Sequence, residues 1–227
     1  MFENAFVQGI FKEELNNRFL CLVEVNGIDT LCYIPSSCRL SNFIDLSGKE
    51  VLLSPNKSSS KTRTEFTVYA FSYRNDFILL NMSTANSVIK NNISRRYFSF
   101  LGKRSSIRTE YRIGDYKTDL FIEDTKTIVE VKSILSFSKT AKFPSVYSQR
   151  AIDQLVKLIE LMDKGYNVSY IFVSLYPRVK QIVISNECEE YHDLFIQCIN
   201  KGIMVKGLSL RLKDGNPVIQ SSLPVFL

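Results

Sequence analysis

Alternating apolar and polar residues dominate the first third of the chain. Five short runs of this kind, separated by turn-forming residues, are predicted to be β-strands. They are FLCLVEV, IDTLCYI, KEVLLS, EFTVYAFSY and DFILLNM. All five fall between Arg18 and Met82, and this density of strands predicts a small, partly open all-β barrel of the OB-fold type. The same pattern also fits an SH3-like barrel, which stays an alternative.

The pattern changes after Asn81 to longer segments in which helices and strands alternate. A helix is predicted from Ser83, and another from Ser148 with Gly165 placed to end it. The remaining segments are the strands SIRTEYRI, YKTDLFI, TIVEVKSIL, YNVSYIFVSLY and IMVKGLSLRL and the helix CEEYHDLFIQCINKG. This order predicts an α/β domain with a mixed sheet flanked by helices. We therefore expect two domains, residues 1–82 and 83–227.

The segment TDLFIEDTKTIVEVK carries the first candidate for chemistry. A two-residue turn at Asp124 and Thr125 makes it a β-hairpin and places Asp119 directly opposite Glu130, with Cβ atoms about 5 Å apart. Lys132 points to the same face as Glu130, because side chains alternate along a strand. The register thus predicts two carboxylates and one amine at a single place.

The preceding hairpin extends this row of acidic residues. A turn at Gly114 and Asp115 places Glu110 across from Asp119. Carboxylates that face one another are destabilising unless a cation compensates them, and oxygen ligands indicate a hard ion such as Mg²⁺, or Mn²⁺ in its place. Such an ion activates a bound water and offsets phosphate charge, while Lys132 orients the water or supports the transition state. The predicted reaction is phosphodiester hydrolysis.

The spacing between an acidic residue and a lysine does not by itself identify a nuclease site. An acidic residue two positions before a lysine occurs three times in the hairpin region, twice in turns. Glu130 and Lys132 differ from the other two pairs because apolar residues flank them, and charges in such a strand are costly unless they are paired or bind an ion. A structural row of ion pairs remains the alternative to a nuclease-like site.

Composition narrows the range of partners. The net charge is +6, from 29 basic and 23 acidic residues, which favours a polyanion such as DNA or RNA. Five cysteines without close pairs favour reduced thiols over a zinc site or a disulfide framework. No signal-like segment is present, and the longest apolar run is too short to cross a bilayer. We expect a cytoplasmic protein with no membrane partner, and the sequence leaves a homo-oligomer open.

Basic and aromatic residues on the predicted barrel form a second candidate surface. Together they would bind a single nucleic-acid strand through charge and base stacking, although aromatic residues in a small barrel also serve as core. The residues are Arg18, Arg39, Lys61 and Arg63 with Phe19, Tyr33 and Phe66.

The whole chain resembles the sugar fermentation stimulation protein (SfsA) family. Six stretches match it in order, with VEVKS the most specific. They are NRF at Asn17–Phe19, PSSCRL at Pro35–Leu40, STAN at Ser83–Asn86, the span from Glu110 through Gly114 to Asp119, VEVKS at Val129–Ser133 and FPSVYSQR at Phe143–Arg150. The resemblance implies an OB-fold domain followed by a restriction-endonuclease-like PD-(D/E)XK domain, with DNA binding and nuclease activity on DNA and RNA.

The resemblance also implies roles for individual residues. Asp119 matches the metal-binding acid, Glu130 the second acid and Lys132 the lysine of the motif, whereas Glu110 matches a nearby acid of less defined role. Arg150 matches a basic residue at the start of the following helix, from where it would reach a phosphate.

Three positions depart from the family pattern. Cys38 stands where a glycine is usual, Ser145 where an aspartate is expected, and Gln154 where a histidine is common. Gln154 still offers hydrogen bonds to a phosphate or a water, so this change does not argue against catalysis. A second functional reading remains, in which the domain binds DNA without cutting it and regulates genes of sugar metabolism.

Overall fold

The computed structural model describes residues 6–17, 19–35, 39–42, 44–56 and 63–227. The chain separates into two compact units. The first comprises Met1–Thr84 with the short segments Leu175–Pro177 and Arg211–Val218, and the second comprises Ala85–Ser174, Arg178–Leu210 and Ile219–Leu227. No helix in the described ranges is long and apolar enough to cross a membrane.

The first unit is an all-β barrel of the OB-fold type, as the strand pattern predicted. Its elements are β1 (Val7–Glu14), β2 (Leu20–Val25), β3 (Ile28–Tyr33), a short 3-10 helix (Leu40–Asn42), β4 (Glu50–Pro55), β5 (Phe66–Tyr73) and β6 (Asp76–Leu79). Strand β1 pairs with β2 and β4, and β4 pairs with β5. The barrel closes where β3 pairs with β2 on one side and runs parallel to β5 on the other, at Cys32 and Phe66.

The strand count differs from the sequence prediction in one respect. The five predicted strands are β2 to β6, whereas the closed ring consists of β1 to β5 and β6 continues the sheet beyond β5. Strand β1 was missed because a glycine interrupts its apolar pattern. Gly9 lies so close to β2 that a Cβ atom there would come within 2.5 Å of Val23 Cγ1. The barrel therefore requires a residue without a side chain at this point.

The second unit is a mixed sheet with helices, as predicted. Its helices are α1 (Ser83–Asn92), α2 (Gln149–Asp163) and α3 (Glu189–Asn200), with a 3-10 helix at Arg96–Leu101. Its strands are β7 (Ile107–Thr109), β8 (Arg112–Ile113), β9 (Tyr116–Lys117), β10 (Leu120–Ile122), β11 (Thr127–Ile134), β12 (Thr140–Phe143), β13 (Asn167–Ser174), β14 (Gln181–Ile184), β15 (Met204–Lys213), β16 (Asn216–Leu223) and β17 (Val225–Phe226).

The main sheet has the strand order β16-β15-β13-β11-β10-β7. Strands β11, β13 and β15 run parallel, and β10 is antiparallel to both of its neighbours. Strands β12, β14 and β17 form a small parallel sheet, and β8 pairs with β9 as a separate hairpin. Strand β11 thus lies inside the main sheet, with the hairpin strand β10 on one side and the buried strand β13 on the other.

Helix α2 forms where its sequence combines a cap with a regular apolar stripe. The Ser148 hydroxyl accepts a hydrogen bond from the amide of Ala151, and Gly165 follows the last turn with a φ of 85°. One apolar face is buried, at Ile152, Leu155, Leu158 and Leu161. These features fix the position of the polar residues on the remaining faces of the helix.

Candidate active site

The hairpin of β10 and β11 has the register that the sequence predicts. Leu120 pairs with Val129 and Ile122 with Thr127, around a turn closed by the amide of Lys126 and the carbonyl of Glu123. Continuing this register by one position places Asp119 opposite Glu130. Burial, and after it the negative charge of Asp119, raises the pKa of Glu130, which agrees with this register.

Asp119 lies just before β10 and is held by two hydrogen bonds. Its Oδ1 accepts from Asn86 Nδ2 at 2.8 Å, and its Oδ2 accepts from the amide of Val131 at 2.9 Å. The second bond ties the carboxylate to the strand that carries Glu130 and Lys132. Asp119 is half-buried.

Glu130 is a buried carboxylate in the middle of β11, with only 2% of its surface exposed. Its Oε1 accepts a hydrogen bond from the Tyr116 hydroxyl at 2.5 Å, and its Oε2 accepts from Gln154 Nε2 at 2.6 Å. Burial raises the pKa of Glu130 to about 7, and the nearby charge of Asp119 acts in the same direction. A buried carboxylate of this kind is typical of a functional site.

Lys132 extends from β11 toward helix α2. Its Nζ donates a hydrogen bond to Gln154 Oε1 and lies 5.7 Å from the centre of the Tyr170 ring. Burial lowers the pKa of Lys132, while the charges of Glu130 and Asp119 oppose that change. The amine is therefore held by an amide oxygen and an aromatic face, within the electrostatic influence of both carboxylates.

Glu110 does not join the two carboxylates. Its amide donates to the carbonyl of Asp119 at 3.0 Å, so the backbone lies opposite Asp119 as predicted. However, Glu110 has a φ of 52°, and its side chain is 74% exposed and pairs with Lys117 at 3.0 Å. The predicted row of three acids is reduced to two, because the left-handed residue interrupts the alternation of side chains along the strand.

The pair Asp119 and Glu130 fits a small divalent cation. Within the described residues, no group of three or more His, Cys, Asp or Glu side chains could hold a metal. Mg²⁺ does not require such a group, because one or two carboxylates with waters and substrate phosphates complete its six oxygen ligands. These two carboxylates would supply the protein ligands.

Helix α2 brings a second predicted residue to the site. Gln154 contacts both Glu130 and Lys132, as described above. Arg150 lies one turn earlier on the same helix face, is exposed, and its positive charge contributes to the lowered pKa of Lys132. Arg150 is therefore an exposed positive charge close to Lys132.

The barrel residues predicted to bind nucleic acid belong to the first unit. Arg18 and Lys61 lie outside the described residues, and Arg63 is exposed. One terminal nitrogen of Arg39 donates to the carbonyls of Leu15 and Asn16 at 3.1 and 2.9 Å, so this nitrogen holds a loop. Phe19 and Tyr33 stack at 6.1 Å, and 38% of the Tyr33 surface is exposed.

Two side chains that hydrogen-bond to the carboxylates were not predicted from the sequence. Strict alternation puts Tyr116 on the opposite face from Asp119, but the strand is interrupted between β9 and β10, and Tyr116 reaches Glu130. No pattern in the sequence reveals this interruption. Asn86 belongs to the STAN stretch, whose only signal was the family resemblance, and nothing local indicates its bond to Asp119.

Family models match both units of the chain. The model of the SfsA N-terminal OB domain matches residues 15–80, and that of the sugar fermentation stimulation protein RE domain matches residues 83–216. The chain belongs to the sugar fermentation stimulation protein family. This confirms the resemblance and identifies the second unit as the restriction-endonuclease-like domain of that family, so Asp119, Glu130 and Lys132 all lie inside it.

Individual family members are distant in sequence, and one solved structure shares the fold. The sugar fermentation stimulation protein homolog of Caldanaerobacter subterraneus is 28% identical over 209 residues, which cover 89% of each chain. That of Caldivirga maquilingensis is 30% identical over 177 residues, covering 74% of this chain and 72% of the relative. The structure of Pyrococcus furiosus SfsA in complex with Ca²⁺ superposes with a TM-score of 0.84 at 20% identity, over 99% of this chain and 97% of that one.

Proposed function

We propose that this protein is a divalent-metal-dependent nuclease that hydrolyses phosphodiester bonds in DNA or RNA. The observation that carries the proposal is the pair of Asp119 and Glu130, facing each other on one hairpin with Lys132 beside them. Burying Glu130 with a second carboxylate is costly unless a cation compensates both charges. Mg²⁺ or Mn²⁺ is the cofactor that suits this oxygen-only pair.

Each residue has a distinct task in the proposed reaction. Asp119 and Glu130 would hold the ion, which when bound lowers the pKa of a water and stabilises negative charge on the phosphate. Lys132, held in place by Gln154 and the Tyr170 ring, directs its amine to the attacking water and the developing charge. Arg150, exposed near Lys132, would bind a phosphate of the substrate.

Two comparisons support the proposal. The family model for residues 83–216 is that of a restriction-endonuclease-like domain, a fold that we infer serves the same class of reaction here. The Pyrococcus furiosus protein, which shares the fold, is described in complex with Ca²⁺. Ca²⁺ is also an oxygen-liganded ion, which agrees with a carboxylate site in this fold.

The test is a cleavage assay on wild-type protein and the Asp119→Ala variant. Single-stranded DNA, double-stranded DNA and RNA are each incubated with MgCl₂, with MnCl₂ and with a chelator. We expect metal-dependent cleavage of at least one substrate by the wild type and its loss in the variant. Equal residual cleavage by both proteins would overturn the assignment.

Asp115→Ala is the matched control for this assay. Asp115 lies in the neighbouring hairpin turn, its side chain is 78% exposed, and it contacts Lys157 at 3.4 Å. Its removal also deletes one acidic side chain but leaves the two facing carboxylates intact. Cleavage by this variant should match that of the wild type.

A DNA-binding protein without cleavage activity is the second candidate. The observation behind it is that Glu110, the third acid that the sequence predicted at the site, pairs with Lys117 instead of joining Asp119 and Glu130. In that case wild-type protein and Asp119→Ala bind DNA equally, with an affinity that falls as salt is raised, and neither cuts it. A binding titration run beside the cleavage assay separates the two functions.

A further inference from the structure

Tyr116 is a buried residue that touches the site and that the reaction as proposed does not use. It lies on β9, with 8% of its surface exposed, and its hydroxyl is 2.5 Å from Glu130 Oε1. A buried tyrosine hydroxyl needs a hydrogen-bond partner. Here the partner is one of the two carboxylates proposed to bind the metal.

Neighbouring groups fix the direction of each hydrogen bond around Tyr116. The ammonium of Lys132 only donates, so the Gln154 oxygen must face Lys132 and the Gln154 nitrogen must face the other way. That nitrogen lies 2.9 Å from the Tyr116 hydroxyl and 2.6 Å from Glu130 Oε2. Since the hydroxyl accepts from Gln154, its single proton is directed to Glu130.

The result is a chain of donors that ends on Glu130. Lys132 donates to Gln154, Gln154 donates to Tyr116 and Glu130, and Tyr116 donates to Glu130. Each oxygen of Glu130 receives one hydrogen bond, and each keeps a second lone pair for another partner. The carboxylate plane is thereby held in one orientation, with Asp119 beside it.

We propose that Tyr116 is a positioning residue that orients the Glu130 carboxylate for metal binding. The inference rests on the proposed function, because it takes Glu130 to be a metal ligand. Groups that hydrogen-bond to ligating carboxylates commonly change metal affinity by about 10- to 100-fold when they are removed. Tyr116 acts through Glu130 and does not touch the substrate.

A merely structural role for Tyr116 makes a different prediction. In that case removing the hydroxyl lowers the stability of the fold and leaves metal affinity unchanged. Tyr191→Phe provides the matched control, because Tyr191 is also buried and its hydroxyl donates to the Tyr170 hydroxyl at 3.2 Å instead of to a carboxylate. The substitution leaves in place the Tyr170 ring, which is the part of that residue that faces Lys132. Both substitutions delete one buried hydroxyl and keep the ring.

The experiment measures binding of MnCl₂ by calorimetry, and metal-dependent cleavage, for the wild type, Tyr116→Phe and Tyr191→Phe. We expect Tyr116→Phe to weaken Mn²⁺ binding about tenfold or more. The metal concentration that gives half-maximal cleavage should rise by the same factor, with the cleavage rate restored at saturating metal. For Tyr191→Phe, the Mn²⁺ affinity and the metal concentration that gives half-maximal cleavage should both stay within about twofold of the wild-type values.

Tyrosine absorption gives a second measurement that needs no variant of Tyr116. The chain has no tryptophan, so its near-ultraviolet absorption comes mainly from its tyrosines. Adding Mg²⁺ to wild-type protein should shift this absorption, because the ion changes the charge at the acceptor of the Tyr116 hydroxyl. The same addition to Asp119→Ala should leave the spectrum unchanged.

The outcomes separate this inference from the proposed function. If Tyr116→Phe binds Mn²⁺ as tightly as the wild type, or if Tyr191→Phe loses as much Mn²⁺ affinity as Tyr116→Phe does, the role of Tyr116 is overturned. The nuclease proposal then still stands. A wild-type absorption spectrum that does not change when Mg²⁺ binds also overturns the role of Tyr116. Wild-type protein that binds no divalent metal at millimolar concentration overturns both.

Discussion

Asn86, on the first helix of the second unit, donates a hydrogen bond of 2.8 Å to Oδ1 of Asp119. The two residues are 33 positions apart in sequence. With the amide of Val131 on the other oxygen, this bond holds Asp119 against the strand that carries Glu130. The orientation of the first acid therefore depends on a helix outside the hairpin.

Replacing Asn86 with alanine should loosen Asp119. We expect the half-saturating Mn²⁺ concentration to rise about tenfold, because a hydrogen-bond partner of a ligand is lost. Asn92→Ala is the control, since Asn92 lies on the same helix and its side-chain amide donates to the carbonyl of Val88 at 2.8 Å. Equal metal affinity in both variants would contradict this role for Asn86.

Glu110→Gln should have little effect on activity. The Glu110 side chain is exposed and paired with Lys117, away from the two facing carboxylates. Exposed pairs contribute about 0–1 kcal/mol, so stability should hardly change. We expect metal-dependent cleavage within about twofold of wild type in a single-turnover assay. A loss as large as that of Asp119→Ala would mean that Glu110 is a ligand after all.

Lys132→Met should separate metal binding from cleavage. Removing the amine is expected to lower the single-turnover rate about 100-fold or more, because its effect is exerted mainly in the transition state. Mn²⁺ affinity should not fall, since a positive charge beside the carboxylates is lost. Lys142→Met, which removes an exposed partner of Glu187, is the control and should cleave normally.

The stability of metal-free protein should fall as the pH rises from about 4.5 to about 7. The pKa of Glu130 is raised from 4.5 to about 7, so over this range the unfolded state releases a proton that the folded state keeps. The contribution of this group to stability is fully present below about pH 4.5. By about pH 7 it is lost, and the free energy of unfolding has fallen by roughly 3 kcal/mol.

Urea unfolding of wild type and Glu130→Gln at several pH values measures this dependence. The difference in free energy of unfolding between the two proteins should shift in favour of the variant as the pH rises, because glutamine has no proton to lose. A difference that does not vary between pH 4.5 and 7 would show that burial of Glu130 carries no such cost.

Arg150→Ala should weaken nucleic-acid binding without affecting metal binding. The guanidinium is exposed at the start of α2, on the helix face that carries Gln154. Loss of one phosphate contact should make the slope of log K against log salt concentration less steep by about one. Fluorescence anisotropy at several salt concentrations gives this slope, and an unchanged slope would exclude the contact.

The sequence by itself determined the features that depend on neighbouring residues. The hairpin register that brings Asp119 opposite Glu130 follows from one turn and from the alternation of side chains, and the structure has that register. Helix α2 is equally local, since its cap at Ser148, its apolar stripe and Gly165 are all visible in the sequence. The OB-type barrel followed from the density of its strands.

Only the tertiary structure decided what surrounds the two acids. Gln154 meets Glu130 across 24 residues because the apolar face of α2 packs on the core and leaves this polar side chain toward the sheet. Glu110 and Tyr116 depart from strict alternation, one through a left-handed residue and the other through a break between β9 and β10. Pattern arguments assume a regular strand, and long-range packing sets where the strand stops being regular.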